Sequence, residues 1–149
     1  MSRKAGSRSR LACGLLALLV LSACGQRASR SGIPADVESV VGTVSELVAQ
    51  EQYEKVYNDA SELWKKDATQ EQSTEILKTL HTKLGKVESR VVHSATEQQN
   101  SSGQMKGHVF IITYQSKFER GEAMETFTLI EENGRWKLAR YLVNSTSLK

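Results

Sequence analysis

Ser116, Glu125 and Arg140, with Tyr114 and Phe127 beside them, are the residues of this chain that could act chemically as a group. A carboxylate, a guanidinium and two hydroxyls on one surface admit three kinds of chemistry. They can form a structural ion pair, the polar floor of a pocket for a small apolar ligand, or an acid–base site of isomerase type. In the last, Glu125 would take a proton while Tyr114 donates a hydrogen bond. That role needs a raised carboxyl pKa, whereas a neighbouring arginine lowers it. Arg140 therefore counts against catalysis. The three histidines, His81, His93 and His108, show no ligand spacing, and no carboxylate cluster or thiol accompanies them, so no metal is expected. The glycines are scattered at turns and helix ends rather than gathered in a phosphate loop, and no serine sits in a nucleophile elbow. No cofactor is expected.

A different chemistry belongs to Cys24. Arg3, Lys4, Arg8 and Arg10 precede an apolar run of about eleven residues, Leu11 to Leu21, which is the order of a secretory signal peptide. The run is too short for a membrane span, which needs about 18 to 20 apolar residues. Leu21-Ser22-Ala23-Cys24 matches the bacterial lipobox, in which the cysteine becomes the new N-terminus and carries a diacylglycerol. Cys13, with no apolar core before it, reads as a small residue of the signal. Two or three acyl chains anchor stably where one is marginal. The expected organisation is a signal at residues 1–23, a lipidated tether at 24–33 and one domain at 34–149. Gly25, where lipoproteins retained in the inner membrane of Gram-negative cells commonly carry aspartate, favours the outer membrane, facing the periplasm.

The formal charge of +3 is a property of that signal. Without residues 1–23 the chain keeps 16 basic against 17 acidic side chains, so charge gives no support to nucleic-acid binding. The remaining 126 residues suffice for one modest domain that must fold without a disulfide. The tether "GQRASRSG" is small and polar, with Arg27 and Arg30 as solvated linker charges.

The elements that must position Glu125 and its neighbours follow from periodicity. Val37, Val40, Val41, Val44, Leu47 and Val48 form one helical face, with Pro34 suited to the first turn. Tyr53, Val56, Tyr57, Ala60, Leu63 and Trp64 form a second, in a short or bent helix. Thr69 to Gln72 has capping-box form and opens a third helix that runs to Gly85. From Val87 the period becomes two, predicting strands over about 87–97, 106–118, 122–131 and 135–144. Asn133-Gly134 predicts a type I′ hairpin that sets Glu132 opposite Arg135 and Leu129 opposite Leu138. By regular alternation Phe127 then faces Arg140. A turn at Arg120-Gly121 sets Phe118 opposite Ala123, Tyr114 opposite Phe127 and Ile112 opposite Leu129. Both registers gather Phe110, Ile112, Tyr114, Phe118, Phe127, Leu129, Trp136, Leu138 and Leu142 on one face. Ser116, Glu125 and Arg140 share it, Glu125 beside Ser116 and diagonal to Arg140. The expected fold class is α+β, three helices packed on one face of a four-stranded antiparallel meander.

The stretch from Tyr53 to Trp64, "LGKVESR" at 84–90, "ETFTL" at 125–129 and "GRWKLARYLV" at 134–143 resemble a family of bacterial exported proteins of no assigned activity. The helix-then-meander order is similar to the cystatin-like and nuclear-transport-factor-like group. That resemblance implies a cone of curved sheet and helices, which in some members holds a ligand and in others serves dimerisation. The expectation is a lipid-anchored envelope protein that is not an enzyme. Its outer sheet face, with Val109, Ile111, Ile130, Tyr141 and Val143, would meet a protein partner or a second copy. The alternative is an apolar ligand held near Glu125 and Arg140.

Overall fold

A computed structural model describes residues 32–149, so the expected signal, Cys13, Cys24, and Arg27 and Arg30 of the expected tether lie outside the described residues. Among the described residues four helices precede a four-stranded antiparallel sheet in the order β1-β2-β3-β4, an α+β fold. Helix α1 (Ala35–Ala49) starts after Pro34, which takes the N-cap rather than the first turn, and buries Val37, Val41, Val44 and Leu47. Its charged residues, Asp36, Glu38 and Glu46, are all acidic, and the first two favour the helix N-terminus.

The second apolar stripe is two helices, not one. Helix α2 (Tyr53–Asp59) ends at Ala60, whose ψ of 167° is extended, and α3 (Glu62–Asp67) begins anew. Ser61 is the cause: its hydroxyl accepts from the Trp64 N–H at 3.2 Å as an N-cap. Its own N–H donates to the Leu138 carbonyl at 2.9 Å, tying the break to the sheet. Helix α4 (Gln70–Leu84) opens with both bonds of the Thr69–Gln72 capping box. It closes on Gly85 at φ 78°, whose N–H reaches the His81 carbonyl. Trp64 Nε1 donates to the buried Ser73 Oγ at 2.8 Å, fastening α3 to α4.

The strands are β1 (Val87–Asn100), β2 (Gly107–Phe118), β3 (Gly121–Glu132) and β4 (Arg135–Asn144), followed by a short 3₁₀ turn at Thr146–Leu148. Asn133 and Gly134 take φ of 52° and 72°, as the type I′ turn requires, and Glu132 and Leu129 face Arg135 and Leu138. The β2–β3 turn is Glu119-Arg120, one residue earlier than expected. Every pairing there moves by two residues: Phe118 faces Gly121, Ser116 faces Ala123, Tyr114 faces Glu125 and Ile112 faces Phe127. A shift of two leaves each side chain on its face, so the apolar set survives.

Beyond Leu138 the β4 expectation fails. Leu129 pairs with Leu138 but Thr128 pairs with Arg140, so Ala139 is an extra residue, a β-bulge. Each later side chain changes face. Tyr141, opposite Phe127, and Val143, opposite Glu125, turn toward the helices, whereas Arg140 and Leu142 turn away. Strand β1 carries two more bulges, near Glu88 and near His93. The first brings Arg90 opposite Ser116, on the helix-facing side.

The main core joins α1, α2, α4 and that sheet face: Val37, Val41, Leu77, Phe110, Ile112, Phe127, Leu129 and Leu138 are at its centre. The outer face is less open than its composition suggests. Val109, Ile130 and Ala139 are buried there, with Met105 and Leu63 packed over them. Among the described residues no helix is long and apolar enough to cross a membrane.

Candidate functional site

Glu125 has no solvent exposure, and its carboxylate is the centre of a buried polar cluster on the helix-facing sheet side. Four donors reach it. Arg90 Nε and Nη2 form a two-pronged bridge, at 2.6 Å to Oε2 and 2.8 Å to Oε1. Ser116 Oγ donates to Oε2, and the Tyr141 hydroxyl to Oε1 at 2.5 Å. A carboxylate offers about four acceptor positions, so all are filled from within the chain.

Each donor is placed by the fold. The bulge at Glu88 turns Arg90 inward, and its third nitrogen, Nη1, donates to Ser45 Oγ on α1 at 2.6 Å. Ser45 Oγ in turn donates to the Val41 carbonyl at 2.7 Å. The guanidinium lies 5.3 Å from the Phe127 ring centroid and 5.7 Å from that of Tyr114, a cation over two π faces. The Ala139 bulge turns Tyr141 inward. Burial, then the Glu125 charge, pushes the Tyr141 hydroxyl well above its usual range, so it stays a donor. Burial works against the Arg90 charge, but the bonds to Glu125 outweigh it and hold its pKa above the ordinary value. Tyr114, opposite Glu125, is raised by burial.

The expected site residues therefore divide. Ser116, Glu125, Phe127 and Tyr114 come together, although Tyr114 donates nothing to Glu125. Arg140 is a correction: it points to the other side, 44 % exposed, with Nη2 3.7 Å from Asp67 Oδ2. Arg90, Tyr141 and Ser45 complete the cluster in its place. Tyr141 and Val143, expected on the outer face, are on the helix side.

The space around the cluster is nearly filled. The cavity bounded by Ser45, Arg90, Phe127, Tyr141 and His81 measures about 20 Å³, room for one water. A larger groove, about 150 Å³, opens elsewhere, between Val40, Val44 and Leu47 of α1, Val56 of α2, and Trp136 and Leu138 of β4. Among the described residues no buried side-chain nitrogen or oxygen lacks a partner.

At the far end of the same sheet face lies a second cluster, in solvent. His108 Nδ1 is 2.8 Å from Glu131 Oε2 and Nε2 is 2.6 Å from Glu97 Oε1, with the ring 4.7 Å from that of Trp136. A neutral imidazole has one N–H and can satisfy only one carboxylate; the imidazolium satisfies both. Those two hydrogen bonds raise the His108 pKa. His81 Nδ1 meets the Tyr53 hydroxyl at 2.9 Å, and His93 is exposed on β1. Among the described residues no three His, Cys, Asp or Glu side chains converge on a metal-sized space. No curated protein matches this chain. Residues 41–141 match the family described as "Protein of unknown function (DUF4019)", and the chain belongs to that family.

Proposed function

We propose that this chain is an exported protein anchored in the cell envelope through lipid on Cys24, and that its domain binds another envelope protein rather than catalysing a reaction. One observation carries the non-enzymatic reading. The buried carboxylate that could serve as a base has every acceptor position filled by Arg90, Ser116 and Tyr141, and only a water-sized space beside it. A general base needs a free lone pair within reach of substrate; Glu125 offers none. The anchoring reading rests on Leu21-Ser22-Ala23-Cys24 and the basic–apolar stretch before it.

The surface best suited to a partner is smaller than the whole outer face. Val91, Gln115 and Met124 form one cross-strand row, and Thr113, Thr126 and Leu142 the next. Val91 and Leu142 are 68 % and 63 % exposed, apolar points in a polar surround. Two measurements test the reading. Cys24→Ser should abolish uptake of labelled fatty acid; continued labelling would remove the anchor. A photo-crosslinker placed at Leu142 in cells should give an adduct of defined mass, lost on Met124→Lys, while one at Ile76 on α4 should not. Equal adducts from both positions would remove the docking face.

The groove beside Trp136 favours a second reading, a small apolar ligand. About 150 Å³ with a mostly aliphatic lining accepts a molecule of benzene size. Quenching of Trp136 fluorescence by a small hydrocarbon, absent in Val44→Trp, would support it.

A further inference from the structure

The two edges of the sheet are finished differently. On β4 the edge is bent by the Ala139 bulge, bonded by the Ser61 N–H at Leu138 and flanked by Asp67 of α3 at Arg140. On β1 every residue from Val91 to Gln99 is exposed, and the strand pairs on one side only, with β2. Edge strands are normally protected by lysine, proline, shortness or a covering element. The stretch 91–99, "VVHSATEQQ", has no lysine, arginine, proline or glycine and a single carboxylate, Glu97. Its protection is one bulge near His93; from Ser94 to Asn100 the register with β2 is unbroken. Val91 and Val92 add exposed apolar surface at 68 % and 38 %.

We propose that β1 is a self-association edge, through which two copies pair antiparallel about a twofold axis and join their sheets into one of eight strands. Charge selects the register. Centring on Glu97 would set two carboxylates face to face, which is unfavourable. Centring on Ala95 sets small residues, Ser94, Ala95 and Thr96, at the axis and each His93 opposite the partner copy's carboxylate at position 97, twice by symmetry. Glu97 can accept there, because within its own chain His108 holds Oε1 and leaves Oε2. Pairing supplies partners to a row of backbone N–H and C=O groups that otherwise face water. The edge meets the Met124–Leu142 patch at Val91 but is centred away from it, at Ala95, and the inference does not depend on lipid anchoring.

The test uses the full-length chain. Opposed residues of antiparallel strands have Cα atoms about 4.5 to 5.5 Å apart, within disulfide reach. Ala95→Cys, oxidised in the cells in which the chain is made, should therefore run as a dimer on a non-reducing gel. The parent and Ile76→Cys, also exposed but on α4, should not. In detergent, Ala95→Lys should weaken the dimer by about tenfold or more in sedimentation equilibrium, because two lysines then meet at the axis. Diluted to where the parent is monomeric, its melting curve should match the parent's, since position 95 is then in solvent. A monomeric parent, equal cross-linking from Ile76→Cys, or capture of a protein of another mass by Ala95→Cys would each overturn the proposal.

Discussion

The helix-facing side of the sheet holds two carboxylate–cation clusters at opposite ends of the same strands, and they behave as different materials. At one end Glu125 and Arg90 are sealed under α1, with exposures of 0 % and 16 %. At the other, Glu97, His108 and Glu131 stand in water against Trp136. The geometries are alike, short charge-assisted bonds to a carboxylate on β3. Burial makes the difference. In the sealed cluster every bond replaces lost water, so removing any one strands the others. In the open cluster water substitutes for whatever is removed, and the strength of the contacts is set by pH.

The largest effect should come from breaking the sealed pair. Glu125→Ala leaves Arg90 buried without its carboxylate and should lower stability by about 3 to 5 kcal/mol in urea unfolding. A double-mutant cycle sharpens this. Glu125 and Arg90 should couple by about 0.5 to 3 kcal/mol, as contacting residues do, whereas Glu125 and Arg140 should be additive. Coupling to Arg140 would mean the Ala139 bulge is absent.

Tyr141→Phe removes one donor from a buried carboxylate and should lose about 1.5 to 3 kcal/mol. A loss near zero would show that water reaches Oε1. At the open end, the backbone matters more than the charges. Gly134→Val forces a β-branched residue to φ 72° and should lose about 1 to 3 kcal/mol; an unchanged melting temperature would break the pairing built on that turn.

His108→Gln should show a pH-dependent difference. The fold raises the His108 pKa, so its contribution is complete below the unfolded value of about 6.5 and disappears as pH rises through the higher folded value. Parent and variant melting temperatures should thus differ in mildly acidic buffer and converge in alkaline buffer. A constant gap across that range would show that the ring acts through Trp136 stacking alone. The smallest effect belongs to Arg140→Ala, within about 0.5 kcal/mol, because its pair with Asp67 is exposed on both sides.

Most of the fold was legible because it rests on local chemistry. Thr69 and Gln72 announce a capping box, Asn133-Gly134 announces a hairpin, and alternation of apolar residues survives a register error of two. The site was legible in half. Glu125, Ser116 and Phe127 lie on strands that alternate without interruption, so counting by two finds their face. Arg90 and Tyr141 lie beyond bulges at Glu88 and Ala139, and one inserted residue inverts every later assignment. That exchange put Arg140 in the place of Arg90. A signal did exist in "KLARYLV": regular alternation sends an arginine into an apolar stripe and a tyrosine out. The misfit of charge is itself the mark of an extra residue. The break between α2 and α3 was also marked, by Ser61 standing before Glu62 as an N-cap serine does.

The Glu125 cluster also has a cost in chain entropy that differs from bond to bond. Its bonds close loops of very different length: nine residues from Ser116 to Glu125, sixteen from Glu125 to Tyr141, 35 from Arg90 to Glu125, and 45 from Ser45 to Arg90. Closing the longest rather than the shortest costs about 1.4 kcal/mol more chain entropy. The β2–β3 hairpin can therefore form with Ser116 and Glu125 already joined, β4 can follow with Tyr141, and β1 can deliver its guanidinium next. Ser45 binds a nitrogen that is in place only once the sheet is whole. Loop entropy alone therefore favours assembly of this domain from its C-terminal half backwards, with the first of the described helices as the final piece to be fastened.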